Sequence, residues 1–210
     1  MQIVNEVNQK GCQTCLDIIQ IINTHNPIWS ANELIVILTV LLFAIISLIT
    51  LCRRKHILCF QAVAGLLLLL YLITVLGSTV FARMPGERRY QLEVFWSWKK
   101  IFHSVAQNGS VLQNQLLQEN ILNMFMLFPA GFLLPLVFAR TINWYQGLLF
   151  GMAVSSGIEL MQLFLCRGLF EFDDIIHNSF GCMIGVLIGN VVWRWGKKRI
   201  KKETGKTKGL

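Results

Sequence analysis

The sequence predicts an all-α integral membrane protein with about five transmembrane helices, its N-terminus outside and its C-terminus in the cytoplasm. Hydrophobic residues make up 54% of the 210 residues and charged residues only 14%, which is too little polar side chain to cover a soluble globule. Five apolar runs each approach the length of about 20 residues that a helix needs to cross a bilayer. The distribution of basic residues between and after these runs predicts the orientation.

Five segments qualify as membrane spans. The first two are almost entirely Leu, Ile, Val and Ala, whereas the last three carry polar residues within their apolar runs. Because a polar group in lipid costs free energy unless it finds a partner or a water-filled cavity, we expect spans three to five to form the functional part and the first two to be scaffold. The approximate bounds are Leu34–Cys52, Ile57–Ala82, Ile121–Ala139, Tyr145–Cys166 and Ile175–Trp193.

Basic residues predict which ends of the spans are cytoplasmic. Arg53–Lys55 lie between the first two spans, Arg140 lies between the third and fourth, and a run of Lys and Arg follows Trp193. All of them fall on one side of a five-span arrangement, which the positive-inside rule makes cytoplasmic. Residues 1–32 lack the pattern of a cleavable signal peptide, so we expect the first span to act as an uncleaved signal anchor.

The spans divide the chain into four parts. Residues 1–32 form an extracytoplasmic N-terminal segment, and residues 33–82 hold the two scaffold spans. Residues 83–193 hold an outer loop and three further spans, and residues 194–210 form a basic cytoplasmic tail whose charged run KKRIKKETGKTKGL we expect to be disordered near anionic lipid. Within the outer loop, LEVFWSWKKIF mixes aromatic residues with paired lysines, so Trp96 and Trp98 are expected to rest at the headgroup level.

The third span is predicted to be polar at its outer end and kinked within. Glu119 and Asn123 are one helical turn apart and share a face. Pro129 and Pro135 each remove a backbone donor, which favours a kink. Gly131 permits close contact with another helix.

The fourth span carries the most unusual residue of the chain. Ser155, Glu159 and Gln162 recur at spacings of four and three and therefore line one helical face. A carboxyl group about 10 Å below the end of its helix is costly in lipid and needs a partner, a proton or a cavity. Glu159 is therefore either a functional group or an interhelical hydrogen-bonding group.

The fifth span begins with polar turns and continues with small residues. Asp174, Asn178 and Gly181 fall on one face, and Gly185 follows them. One of the carboxylates of Asp173 and Asp174 is expected to cap this helix. Arg167, a few residues upstream, is the expected counter-charge, and His177 is expected to be a packing residue.

Polar residues of the three spans are expected to meet at one level in the outer half of the membrane. The predicted topology places the start of the third and fifth spans and the end of the fourth on the outer side. An outward-facing pocket follows, whose expected ligand is a polar headgroup or an amphiphile of the outer leaflet. The candidate ligand-binding residues are Asn123, Ser155, Glu159, Gln162, Arg167, Asp173, Asp174 and Asn178, and the candidate structural residues are Pro129, Gly131, Gly181 and Gly185.

The segments NMFMLFPAGFLLP, SSGIELMQ and CRGLFEFDDIIHNSFGCMIG resemble, in this order, three characteristic stretches of the VanZ-like family. The resemblance covers roughly residues 83–192. The family usually has an apolar residue at the position of His177 and a bulkier residue at that of Ala130. The resemblance implies a bacterial membrane protein of a family whose namesake is associated with resistance to teicoplanin, a lipidated glycopeptide that acts outside the membrane.

Two classes of function remain after the sequence is considered. The leading one is a binding protein of the cell envelope, whose partners are membrane lipid and a lipid-linked cell-wall precursor or a lipoglycopeptide. The alternative is an intramembrane enzyme that acts on a lipid headgroup, with Glu159 or Asp174 as general base or metal ligand. Neither H-E-x-x-H nor G-x-S-x-G is present, and transport is disfavoured because no repeat symmetry is found.

Cofactors, metals and nucleic acid are not expected. The C-x-x-C pair of Cys12 and Cys15 has no second ligand pair and no surrounding βαβ pattern, so incidental thiols or a local disulfide are the expected state. The net charge of +8 is accounted for by the cytoplasmic anchors, and no basic helix interleaved with aromatics stands outside the spans. The sequence leaves the oligomeric state open.

Overall fold

The computed structural model describes residues 31–54, 57–105 and 110–207, and five helices in these ranges are long and apolar enough to cross a membrane. This confirms the predicted all-α fold with five spans. The N-terminal segment through Ser30, with Cys12 and Cys15, lies outside the described residues. The helices are α1 (Ala31–Arg53), α2 (Cys59–Leu76), a short α3 (Trp96–Val105), α4 (Ser110–Phe138), α5 (Trp144–Leu165) and α6 (Phe172–Thr207).

The first span, α1, is peripheral. It packs on α2, and most of its large apolar side chains are exposed, including Phe43 at 74%, as lipid-facing residues are. The second span is integrated more closely. Tyr71 donates its hydroxyl to the Met126 carbonyl of α4 at 2.5 Å, so α2 belongs to the same bundle as the polar spans.

The most extensive helix contact joins α4 and α6. Gly181, Gly185 and Gly189 recur every four residues along α6, and a Cβ atom on any of them would overlap a backbone carbonyl of α4. Gly131 of α4 lies equally close to the backbone of α6. Because glycine has no side chain, the backbones of α4 and α6 come into direct contact, as in other small-residue interfaces between membrane helices.

Two helices are longer than the sequence indicated. The third span extends back to Ser110, which makes much of the predicted outer loop helical, and it continues through both prolines. The fifth span continues to Thr207, so the prediction that the charged run from Lys197 is disordered was wrong as far as Thr207. Lys, Arg and Glu are good helix formers, and extending an existing helix avoids the cost of nucleation.

A small sheet and a π-helical turn organise one end of the bundle. After α2 the chain forms a π-helical turn over Gly77–Phe81. Strand β1 (Arg89–Gln91) then pairs in parallel with β2 (Leu169–Glu171), which directly precedes α6. This pairing brings the segment after α2 next to the segment between α5 and α6.

Candidate functional site

A cavity of about 420 Å³ lies where the segment between α2 and α4, the first part of α4, strand β2 and the start of α6 meet. Its lining combines carboxylates, amides and one arginine with a few apolar side chains. The charged and amide residues are Arg83, Glu119, Asn120, Asn123, Glu171, Asp173 and Asp174. Of the three spans whose polar residues were expected to meet, the third and fifth line this cavity and the fourth does not, while the segment between α2 and α4 supplies a further wall.

Asn123 and Asp174 are the two predicted residues that pair directly across the cavity. The Asn123 side-chain amide donates to the Asp174 carboxylate at 2.6 Å. Asn123 lies on α4 and Asp174 in the first turn of α6. This bond leaves the remaining carboxylate lone pairs of Asp174 available to a molecule in the cavity.

Asp173 holds the start of α3. One of its carboxylate oxygens accepts the Phe95 N–H at 2.5 Å, and the other accepts the N–H of Ser97 at 3.1 Å and its hydroxyl at 2.7 Å. The sequence predicted that Asp173 or Asp174 caps its own helix, whereas Asp173 caps a different one. A carboxylate satisfies the free amides at a helix start and suits the positive end of the dipole.

A second bond fixes α3 against α6. The Trp98 indole N–H donates to His177 Nε2 at 2.7 Å, and the two ring centres are 5.9 Å apart. His177 is buried, so it is a packing residue with a hydrogen bond. The segment that was expected to lie at the interface is thus a helix docked on the bundle, while Phe102, whose ring centre is 6.4 Å from that of Trp98, is 71% exposed.

The polar face of α5 lies beneath the cavity and links helices to one another. The Asn178 amide donates to the Ser155 hydroxyl at 2.8 Å, and the Gln162 amide donates to the Thr79 carbonyl at 3.2 Å. Glu159 is 2% exposed, and its carboxylate accepts the Glu171 N–H of β2 at 3.0 Å. These residues do not line the cavity.

Three of these buried groups keep an unused atom. Asn178 Oδ1, Gln162 Oε1 and His177 Nδ1 have no hydrogen-bond partner within the described residues. An unpaired buried polar atom costs about 1–3 kcal/mol. The buried residues below the cavity thus carry three polar atoms that the hydrogen bonds between the described helices do not use.

The arginine that lines the cavity is Arg83. A Cβ atom at Gly168 would lie 2.6 Å from Arg83 Nη1, which places the guanidinium over this glycine. Arg167, the counter-charge expected from the sequence, has its guanidinium carbon 5.9 Å from the Phe81 ring centre. From the sequence, Arg83 was assigned only to the loop after the second span. Its position directly after that span was the one signal that could have marked it as a candidate cavity residue.

Glu171 is a second residue that the sequence did not single out. Burial raises its pKa from 4.5 to about 7, and the nearby charges of Asp174, Glu119 and Asp173 act in the same direction, while Arg83 opposes them. The carboxylates of the cavity therefore crowd one another around a single guanidinium. Such a lining accepts hydrogen bonds from hydroxyl or ammonium groups and offers one strong donor to an anion.

Metal binding finds no support in the part of the chain that the structure describes. Within residues 31–54, 57–105 and 110–207, no three His, Cys, Asp or Glu residues are arranged to hold a metal ion.

The Trp96 indole lines the cavity, and its buried N–H has no partner among the described residues. The lining is thus equipped for hydrogen bonding and aromatic contact.

The comparisons with known proteins identify a family. The family model described as VanZ/LLP1 matches residues 60–193, which is well over half of the chain. The match runs from α2 into α6 and includes every residue that lines the cavity. Searches of curated proteins and of solved structures give no significant match. The chain belongs to the VanZ/LLP1 family.

Proposed function

We propose that this protein is a bacterial cell-envelope protein that binds the headgroup of an amphiphile or lipid-linked precursor and thereby lowers susceptibility to glycopeptides such as teicoplanin. The observation that carries the proposal is the polar cavity of about 420 Å³ at one end of a bundle of five helices that are long and apolar enough to cross a membrane. A ligand there has its headgroup in the cavity and its acyl chain against the lipid-facing helices.

The lining suits a headgroup that carries both donors and an anionic group. Glu119, Glu171 and Asp174 accept hydrogen bonds from sugar hydroxyls or amines, and Arg83 donates to a phosphate. Asp173 has both carboxylate oxygens engaged with α3. Its proposed role is to position the wall that carries Trp96.

The deeper polar residues support the ligand-binding groups in this proposal. Ser155 and Asn178 join α5 to α6, and Gln162 joins α5 to the π-helical turn that precedes Arg83. Glu159 holds the backbone at Glu171. Groups fixed in this way place the cavity lining without further ordering when a ligand binds.

The cavity is proposed to open to the outside of the cell. The positive-inside rule places the loop after α1, the turn containing Arg140 and the tail in the cytoplasm. The start of α4 and the start of α6 are then outside. A headgroup of the outer leaflet reaches the cavity from that side without crossing the membrane.

Mass spectrometry of the detergent-extracted protein tests this proposal. The wild-type protein should retain an amphiphile through purification, and Arg83→Gln or Asp174→Asn should release it. Arg88→Gln is the matched control, because Arg88 is exposed and does not line the cavity. Equal retention of the amphiphile by Arg83→Gln and Arg88→Gln would contradict the proposed site.

The same material separates binding from catalysis. If the protein binds its ligand without reaction, the mass of the retained lipid should stay unchanged during prolonged incubation of the purified protein at about 37 °C. Cleavage or transfer of the headgroup by the wild type, abolished in Glu159→Gln, would instead support the enzymatic alternative.

A further inference from the structure

Two cysteines without a recognised motif are brought together at the opposite end of the first two spans. Cys52 lies in the last turn of α1 and Cys59 is the first residue of α2. Their Sγ atoms are 3.0 Å apart, although the residues are seven positions apart in the chain. The turn between the two spans therefore creates a dithiol.

The distance is close to that of a covalent bond between the sulfurs. A disulfide requires an S–S separation of about 2.05 Å, so the two atoms need to approach by about 1 Å. The other two cysteines of the described residues, Cys166 and Cys182, lie in and beside the polar spans.

The dithiol lies at the ends of its two spans, with Cys52 one residue before the end of α1 and Cys59 at the start of α2. Cys59 is exposed and Cys52 is partly exposed. The adjacent sequence is Arg53-Arg54-Lys55, and this positive charge attracts anionic reagents such as glutathione disulfide. Position at the helix ends and adjacent charge thus favour reaction with small anionic disulfides.

We infer that Cys52 and Cys59 form a modification site at which a low-molecular-weight disulfide oxidises the pair to an intramolecular disulfide. One cysteine thiolate attacks the reagent disulfide, forms a mixed disulfide and releases one reagent thiol. The second cysteine thiolate then attacks the protein sulfur of the mixed disulfide and releases the other reagent thiol. Two protein thiols are oxidised and one reagent disulfide is reduced to two thiols.

The bond would join α1 covalently to the start of α2. Within the described residues α1 packs chiefly on α2, and it lies before the region matched by the family model. The modification therefore acts on α1, which lies outside the matched region. It is independent of the proposed headgroup cavity, so either idea can fail without the other.

Peptide mapping of the full-length protein tests the inference. The reduced protein is treated with glutathione disulfide, its free thiols are blocked with N-ethylmaleimide, and it is digested with trypsin. Cleavage after Arg53, Arg54 and Lys55 separates the two cysteines. Two peptides that remain joined, and separate on reduction, are the expected product.

Three variants make the assignment specific. The joined peptides should disappear in Cys52→Ser and in Cys59→Ser and persist in Cys166→Ser. The Cys52→Ser variant is needed because Cys12 and Cys15 share a tryptic peptide with Cys52. The inference is overturned if the wild type yields separate peptides that carry only glutathione or maleimide, or if the joined peptides persist in Cys52→Ser.

Discussion

Two glycines of α5 offer a sharp test of the helix packing that supports the cavity. A Cβ atom at Gly151 would lie 2.7 Å from Cys182 Cβ and 2.9 Å from Ser179 Cα of α6. At Gly157, six residues further along the same helix, a Cβ atom would meet nothing within 4 Å. Gly151→Ala should therefore destabilise the protein, and Gly157→Ala should not.

The expected magnitude follows from the overlap. Restoring an ordinary Cβ contact of 3.4 Å at Gly151 requires α5 and α6 to separate by about 0.7 Å. Overpacking of this kind typically costs about 1–3 kcal/mol. For a chain of this length that corresponds to a fall in melting temperature of roughly 2–12 °C. The gain in helix propensity, up to about 1 kcal/mol, is common to both substitutions and cancels in their comparison.

Thermal unfolding of the detergent-solubilised variants provides the measurement. Monodisperse protein remaining after heating, followed by size-exclusion chromatography, gives a melting temperature for each variant and for the wild type. Gly151→Ala should melt lower than Gly157→Ala. Equal melting temperatures would refute the close approach of α5 and α6 at Cys182.

Three further substitutions test individual parts of the site. Asp173→Ala removes the cap of α3 and should destabilise the docked helix by about 1–3 kcal/mol. Limited proteolysis near Trp96 should then be faster than in the wild type, and an unchanged rate of proteolysis would contradict the capping role. Because the pKa of Glu171 is raised from 4.5 to about 7, the folded state holds a proton that the unfolded state has released between these values. The free energy of unfolding should therefore decrease as pH rises from 4.5 to 7. Glu171→Gln should remove that part of the pH dependence, and an unaltered profile would exclude the shift. Glu159→Gln should abolish glycopeptide protection with unchanged expression and melting temperature, whereas an active variant would make Glu159 a packing group only.

The spans and their polar faces were predictable because lipid imposes simple rules. An apolar run of the required length identifies a span, and helical spacing places Ser155, Glu159 and Gln162 on one face. The same rules located Asn123 and Asp174, which do meet. They specify a face of each helix but not the neighbour against which that face packs.

The structure of the segment between α2 and α4, and its contacts with α6, could not be predicted from the sequence. Each strand of the sheet has only three residues, too few for an alternating pattern to be recognised. The partner of Asp173 is the start of a helix 76 residues away in the chain, a contact that no local spacing indicates. Arg83, which lines the cavity, follows a π-helical turn, and sequence periodicity does not anticipate such a turn.

Cysteine labelling of intact cells tests whether the polar cavity faces the outside of the cell. Leu122 lines the cavity and is 58% exposed, whereas Thr141 is exposed in the turn between α4 and α5 at the other end of the bundle. Leu122→Cys should react with a membrane-impermeant maleimide above the level of the wild type. Thr141→Cys should react only after the cells are permeabilised. Labelling of Thr141→Cys in intact cells, with Leu122→Cys protected until permeabilisation, would contradict the account.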